Sequence, residues 1–259
     1  ALTQITDVDY PSEAGRTTVG QFVTMDGYVF IMDSIGRIYN SDLNSITAWT
    51  ADSFLRSTFE PPFNGVGLSR HYDTVVAFGK SSFEFYANMG HSDGSPLGRV
   101  HEPHKIGGIL PASYGTTIVT DGDDVYFLGT KQGIGGASVY RIRKFQPEPV
   151  STSVVDAQIE VAEPQNCTLS IGRIWGKTIL VLRASITWAY NIEDGIWFEL
   201  TSGSGGVLWD AIAGSSQGDN IVYSLSFTAT GGKTYQWNTD TPVYQDDALA
   251  FTGTIITSK

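Results

Sequence analysis

The stretch DTVVAFGKSSFEFYAN, residues 73–88, holds two short runs of β-branched and aromatic residues separated by a turn. Such runs, bounded by Gly, Asp, Asn and Ser, are typical of antiparallel strands. The first run has four counterparts that also enter from a turn: GYVFIMD (27–33), DDVYFLG (123–129), GKTILVL (176–182) and DNIVYSL (219–225). Sustained helical periodicity is nearly absent from the chain, so the sequence predicts an all-β protein.

Each of these runs is followed by a second strand that ends near an aromatic residue. The aligned aromatic residues are Tyr39, Tyr86, Tyr140, Tyr190 and Trp237, with spacings of 47, 54, 50 and 47. A repeat of about 50 residues with several strands each is the sequence mark of a β-propeller, with one blade per repeat. We therefore predict a propeller of five to six four-stranded blades.

The repeat also divides the chain into blades within one expected domain, residues 1–259. The approximate blades are 17–58, 64–105, 107–155, 167–203 and 205–247, followed by a closing or exiting strand at 248–259. A further strand before each hairpin is expected to line the central axis: VGQFVTM, GVGLSRH, TTIVTDG, LSIGRIW and LWDAIAG. VSTSVV (150–155) is predicted to be an outer strand, and Trp49 and Trp197 are expected to pack between blades.

Composition limits the classes of function. The chain has 16 basic and 27 acidic residues, a net charge of −11, which argues against electrostatic gripping of nucleic acid. It contains no apolar run of the roughly 18 residues that suggest a membrane helix. Its beginning lacks the features of a signal peptide. Cys167 is the single cysteine, which excludes an internal disulfide, and we expect a small buried hydrophobe there.

The order of motifs resembles the packaged-DNA stabilisation proteins of short-tailed bacteriophages, which are head-completion or tail-hub proteins. The motifs are TQITDVDYP (3–11), DGYVFIMD (26–33), VVAFGKSSFEFYANMG (75–90), SPLGRV (95–100) and YRIRKFQPEPVST (140–152) followed by AQIE (157–160). The residues that match the family's two hairpin patterns are Gly79, Phe85, Tyr86, Gly90 and Arg99, then Gln146, Pro147, Ser151, Thr152, Ile159 and Glu160. Glu148, Pro149 and Val150 depart from it, where the family has basic and Ile residues.

This resemblance implies a structural virion protein without catalysis or cofactor. It implies a β-propeller in the tail channel below the portal, retaining packaged DNA and anchoring portal, adaptor, needle or tailspike proteins. It also implies a homo-oligomeric ring in the full-length protein, made in the host cytoplasm, with no sequence-specific nucleic-acid binding and no membrane. The ending TGTIITSK looks like the point where such proteins continue, so we expect this chain to be an excerpt. The alternative is a glycan-binding or glycan-cleaving propeller.

The stretch HEPH, residues 101–104, is the strongest candidate for site chemistry, because all four histidines lie between His71 and His104. A zinc-protease pair needs histidines at i and i+4 on a helix, whereas these are at i and i+3 with Pro103 between them. We therefore predict a solvent-exposed loop between the second and third blades. A metal site and a pH-sensitive subunit contact are the alternatives.

Other candidates have weaker signals. DGDD (121–124) and SSQGDN (215–220) lack the spacing of a calcium loop and are predicted turns. KQGIGGASV (131–139) is predicted to be a flexible hairpin loop, because a phosphate loop must open a helix. The sequence offers no nucleophile elbow, so we assign no catalytic, metal-binding or cofactor-binding residue.

Overall fold

The protein is described by a computed structural model. It covers residues 4–57, 64–112, 115–131, 135–174 and 177–202, and short strand segments between residues 207 and 250. The chain divides into two compact units. The first comprises residues 1–110 and 117–150, and the second comprises residues 111–116 and 151–259.

Antiparallel sheets whose strands follow one another in chain order make up the first unit. The first sheet contains β1 (Thr18–Met25), β2 (Tyr28–Asp33), β3 (Arg37–Ser41) and β4 (Trp49–Arg56). The second contains β5 (Gly65–His71), β6 (Thr74–Gly79), β7 (Phe83–Asn88) and β8 (Leu97–Arg99). The third contains β10 (Ile118–Asp121), β11 (Asp124–Lys131), β12 (Ala137–Arg143) and β13 (Gln146–Pro149), and β9 (Ile106–Gly108) pairs with β11.

The second unit continues the same pattern. A helix, α1 (Ser153–Ala162), and a 3-10 turn (Pro164–Asn166) precede its sheets. Its main sheet contains β14 (Thr168–Ile174), β15 (Lys177–Arg183), β16 (Thr187–Asn191), β17 (Ile196–Ser202) and β18 (Val207–Leu208). Shorter sheets contain β19 (Ala211–Gln217), β20 (Ile221–Thr228) and β21 (Gly231–Gln236), then β22 (Gln245–Asp246) and β23 (Leu249–Ala250). The predicted all-β class is confirmed, and four-stranded sheets of this kind are consistent with propeller blades.

We call the three sheets of the first unit its first, second and third blades. In strand β6 every residue is buried. Val75 and Ala77 pack in a core shared with the first blade, whereas Val76 and Phe78 pack in a core shared with the third. Successive side chains of a strand point to opposite faces, so the alternation shows that both faces of this blade are covered. This explains why the run is apolar throughout.

The first strands of neighbouring blades approach each other through glycine. A Cβ atom added to Gly20 would lie 2.4 Å from the Gly67 Cα atom, closer than real Cβ atoms come to backbone. Gly20 also has a φ of +68°, which L side chains rarely adopt. The backbones of β1 and β5 therefore meet at a distance that only glycine permits.

The aligned tyrosines occupy one structural position. Tyr39, Tyr86, Tyr140 and Tyr190 are buried in the third strand of their sheets, β3, β7, β12 and β16. The fifth aligned residue, Trp237, lies outside the described residues. The regular spacing of these tyrosines in the sequence thus identified the equivalent strand in each described repeat.

The two tryptophans that were expected to pack between blades each make one ring contact close to their own sheet. The buried Trp49 ring lies 5.1 Å from the ring of Tyr10, which precedes the first blade. The Trp197 ring lies 4.9 Å from that of Tyr190 in the adjacent strand of its own sheet. These two ring contacts lie within a sheet or beside it, and packing of the tryptophans between blades stays a prediction.

The prediction of a strand at 150–155 is wrong. Strand β13 ends at Pro149, and helix α1 begins at Ser153. Thr152 caps this helix, since its side chain accepts a hydrogen bond from the Val155 N–H. Val155 and Ile159 are one helical turn apart and both are buried. Two β-branched valines suggested a strand, but a capped turn with an apolar i, i+4 pair produced a helix.

Among the helices that the structure describes, none combines the length and the apolar character needed to cross a membrane.

Candidate functional site

One buried imidazole connects turns of the second and third blades. His71 ends β5, and its Nδ1 atom lies 2.5 Å from the carbonyl oxygen of Asp123, in the β10–β11 turn. Its Nε2 atom accepts a hydrogen bond of 3.0 Å from the N–H of Phe145, in the β12–β13 turn. The carbonyl must accept, so Nδ1 carries the proton and the ring is the neutral tautomer. His71 thereby ties its own hairpin to two turns of the neighbouring blade.

Aromatic rings surround this imidazole. The ring of Phe145 lies 4.8 Å from His71, 4.4 Å from His101 and 5.3 Å from Phe85. The ring of His104 stacks on Phe83 at 4.8 Å. We call this group, His71, His101 and His104 with Phe83, Phe85, Phe145 and Tyr72, the histidine cluster.

Two turns in the cluster use backbone conformations that are uncommon without glycine. Lys144 and Phe145 have φ values of 50° and 62°, and Tyr72 has a φ of 51°. The left-handed region costs an L residue about 1–2 kcal/mol. The Tyr72 and Phe145 rings lie 5.6 Å apart, which places them against each other. Packing of these aromatic rings offsets the backbone cost.

Burial favours the neutral form of two imidazoles of the cluster, those of His71 and His104. It lowers the pKa of His71 below its ordinary 6.5, and the Asp123 carbonyl and Asp124 carboxylate only partly oppose this effect. Burial also lowers the pKa of His104. The imidazoles of His71 and His104 are therefore held in the neutral form near neutral pH. Protonating His71 at Nε2 would replace the acceptor that the Phe145 N–H needs.

The HEPH prediction holds in one respect and needs correction in another. The segment connects β8 to β9, and His101 is exposed, as expected of a loop between the second and third blades. However, His104 is half-buried, and its backbone pairs with Phe83 through N–H···O bonds of 3.0 and 3.1 Å. The loop is therefore fastened to the blade at one end. Within the described residues, no group of three or more His, Cys, Asp or Glu side chains is arranged to hold a metal ion.

Two buried carboxylates give two of the aligned tyrosines, Tyr39 and Tyr86, a polar role that the sequence did not reveal. In the first blade the Tyr39 hydroxyl donates to Asp33 Oδ2 at 3.2 Å. In the second blade the Tyr86 hydroxyl donates to Glu84 Oε2, and Arg99 Nη1 lies 3.9 Å from the same oxygen. Burial, followed by the bond to Glu84, raises the pKa of Tyr86. Each carboxylate therefore accepts a hydrogen bond from the aligned tyrosine of its own blade.

Comparison with models of known protein families assigns this chain to a family. A profile of the family described as "Bacteriophage P22 Gp10, beta-propeller", a phage stabilisation family, matches residues 2–228. The chain belongs to this family.

The P22 Gp10 family match confirms the resemblance seen in the motifs, including the hairpin that carries Glu84 and Tyr86. A search of curated proteins returned no match. The histidine cluster lies within the matched residues, so it is a feature of the family portion of this chain.

Solved structures with limited likeness include Hsv2 of Kluyvelomyces marxianus, PorZ of Porphyromonas gingivalis and BamB of Moraxella catarrhalis. Hsv2 has a TM-score of 0.48 and 8% identity over 91% of this chain and 65% of its own. PorZ has a TM-score of 0.47 and 12% identity over 91% of this chain and 28% of its own. BamB has a TM-score of 0.41 and 11% identity over 83% of this chain and 71% of its own. The chain thus spans less than two thirds of Hsv2 and of PorZ.

The weaker candidate sites of this P22 Gp10 family member are structural where they are described. Asp121 pairs with Asp124 across the β10–β11 turn, so DGDD forms a hairpin turn as predicted. KQGIGGASV and SSQGDN lie partly outside the described residues. Cys167 is fully buried, and burial raises the pKa of its thiol to about 11, which fits the predicted small hydrophobe.

Proposed function

We propose that this chain is a structural virion protein of a short phage tail that helps to retain packaged DNA and anchors other tail components. The observation that carries the proposal is the match of a phage stabilisation family to residues 2–228. The buried second blade supports it, because a sheet covered on both faces gives a rigid platform from which loops reach neighbouring proteins.

The finer parts of the proposal concern architecture and place. We propose a propeller of five or six blades, with β1, β5, β10, β14 and β19 lining its axis. The protein occupies the tail hub in several copies and contacts portal, adaptor, needle or tailspike proteins. It acts without catalysis. Its net charge of −11 disfavours adhesion to DNA where acidic residues face the channel.

Glycan binding or cleavage is the alternative that the same fold class admits. A glycosidase of the usual kind needs two carboxyl groups placed around one substrate bond. In the described residues the buried carboxylates Asp33 and Glu84 each hold a tyrosine of a different blade, Tyr39 and Tyr86. Trp49 is buried and unavailable for stacking on a sugar. These observations favour the structural role.

Assembly provides the test. Full-length protein is mixed with purified portal–adaptor complex, and the products are weighed by mass photometry. We expect stoichiometric addition of several copies to the complex and none to the portal without adaptor. If folded protein adds to neither, the tail-hub proposal is wrong. A glycan array probed with the same preparation would then test the alternative.

A further inference from the structure

Four exposed large apolar side chains lie on the segment before the first blade, on the β3–β4 loop and on the β7–β8 loop. The exposed fractions are 77% for Val8, 57% for Leu43, 65% for Ile46 and 51% for Met89. A single exposed apolar residue is ordinary, but a group of them marks an interaction surface. What matters is whether these four lie on neighbouring segments.

Hydrogen bonds connect the segment before the first blade to the loop between β3 and β4. The Trp49 N–H donates to Asp7 Oδ2 at 3.1 Å, and the indole Nε1 donates to the carbonyl oxygen of Ile46 at 3.2 Å. Tyr10 packs against the same indole. Val8 and Ile46 are therefore carried by two segments that are fixed to one buried tryptophan.

The segments that carry the other two apolar residues, Leu43 and Met89, both hydrogen-bond to the β1–β2 turn. The Asn44 N–H donates to the carbonyl oxygen of Gly27 at 2.8 Å, which holds the β3–β4 loop against that turn. On the other side, Asn88 Nδ2 donates to Asp26 Oδ2 at 3.0 Å. Met89 follows Asn88 directly. The four apolar residues thus lie on segments that are bonded to one another.

These segments also carry several acidic side chains. Residues 4–15, 26–27, 42–52 and 88–98 contain no Lys or Arg. Their carboxylates are Asp7, Asp9, Glu13, Asp26, Asp42, Asp52 and Asp93. We call this surface, Val8, Leu43, Ile46 and Met89 with these carboxylates, the apolar–acidic face.

We propose that the apolar–acidic face docks a partner protein whose surface presents apolar side chains between Lys and Arg residues. Apolar side chains supply burial at the centre of such an interface, and the opposite charges select and orient the partner. A second copy of this chain is a poor occupant, because each copy carries a charge of −11 and the same carboxylates. The proposal gives the chemistry of a partner and rests on the structural role proposed above.

The test uses the full chain and two synthetic peptides, so it needs no virion component. A fluorescent peptide in which Leu and Lys alternate is compared with one in which Ser and Lys alternate. We expect the Leu–Lys peptide to bind at least about tenfold more tightly, which corresponds to about 1.4 kcal/mol. Leu43→Ser combined with Ile46→Ser should remove that advantage. The matched control is Phe22→Ser, which alters a residue that is 68% exposed on β1 and should leave binding unchanged.

Equal affinities for the two peptides would overturn the proposal, because charge alone would then explain the binding. The proposal also fails if the double variant, folded by circular dichroism, binds the Leu–Lys peptide like the unmodified chain. Self-association that the double variant abolishes would identify a second copy as the occupant, and would overturn it as well. Failure in the portal assay together with success here would leave this face intact and refute only the tail hub.

Discussion

The two interblade cores of the first unit differ at one equivalent position. Met25 ends β1 and His71 ends β5, each directly before a hairpin turn, and both side chains are buried. Met25 belongs to the core between the first and second blades. His71 instead hydrogen-bonds to turns of the third blade and contacts an aromatic core. The same site in the blade thus ends one core with a thioether and the other with an ionisable ring.

This difference indicates that the two cores can depend equally on packing and still differ in how acid affects their stability. The first core is largely aliphatic, whereas the second contains Phe78, Phe83, Phe85, Phe127 and Tyr140. Both depend on complete burial, but only the second has neutral imidazoles beside it. The cores should respond alike to cavities and differently to acid.

The largest expected effect is a cavity in either core. Phe30 in the first and Phe78 in the second are fully buried, so replacing either with alanine should cost about 3–5 kcal/mol of unfolding free energy. Urea unfolding at neutral pH measures this cost. Phe22→Ala is the control, because that side chain is 68% exposed and should change stability by less than about 0.5 kcal/mol. A cost below about 1 kcal/mol at Phe78 would contradict the doubly covered blade.

A smaller loss of stability is expected from substitutions at the glycine contact between β1 and β5. Gly20→Ala meets both a positive φ and the backbone of Gly67, so it should cost roughly 3 kcal/mol. Gly90→Ala is the matched control: its φ is +69° and nothing lies within 4 Å of the added Cβ. It should cost only about 1–2 kcal/mol. Equal losses of thermal stability in the two variants would show that the close approach of β1 and β5 is not limiting.

Much of this architecture was accessible from the sequence, and the reason is periodicity. The run TVVAFG (74–79) and the aligned tyrosines located the second and third strands, because a strand buried on both faces reads as a nearly continuous apolar run. Helix α1 was missed because valines at 154 and 155 favour a strand, whereas the decisive signal was the Thr152 cap.

The histidine cluster was less accessible for a different reason. HEPH drew attention to His101 and His104 in the β8–β9 loop, but the central residue is His71, thirty positions before His101 at the end of β5. Its partners are a backbone carbonyl and a backbone N–H, neither of which leaves any mark in the sequence. The turn at Phe145 contributes its N–H through a backbone conformation with positive φ, which the residue types Lys144 and Phe145 do not predict.

The smallest expected effect, and the one that separates the two cores, is a loss of stability in mild acid. Burial lowers the pKa of His71 and of His104 below 6.5, so near neutral pH both are neutral in the folded and unfolded chains. As the pH falls through 6.5, the unfolded chain binds protons that the folded chain does not. Stability is then lost progressively until the lowered folded pKa is reached. Urea unfolding at pH 7.5 and 5.5 should show the lower midpoint at pH 5.5.

His71→Met tests the comparison directly, because it places the residue of the first core at the equivalent position of the second. The variant loses the bonds to Asp123 and Phe145, so it should be less stable at pH 7.5. Its stability should nevertheless change less between pH 7.5 and 5.5, with His104 supplying the remaining dependence. His91→Gln removes an exposed histidine and should keep the full pH dependence. If His71→Met retains the whole pH dependence of stability, that dependence arises from groups other than His71. The two cores would then not differ in the way that Met25 and His71 indicate.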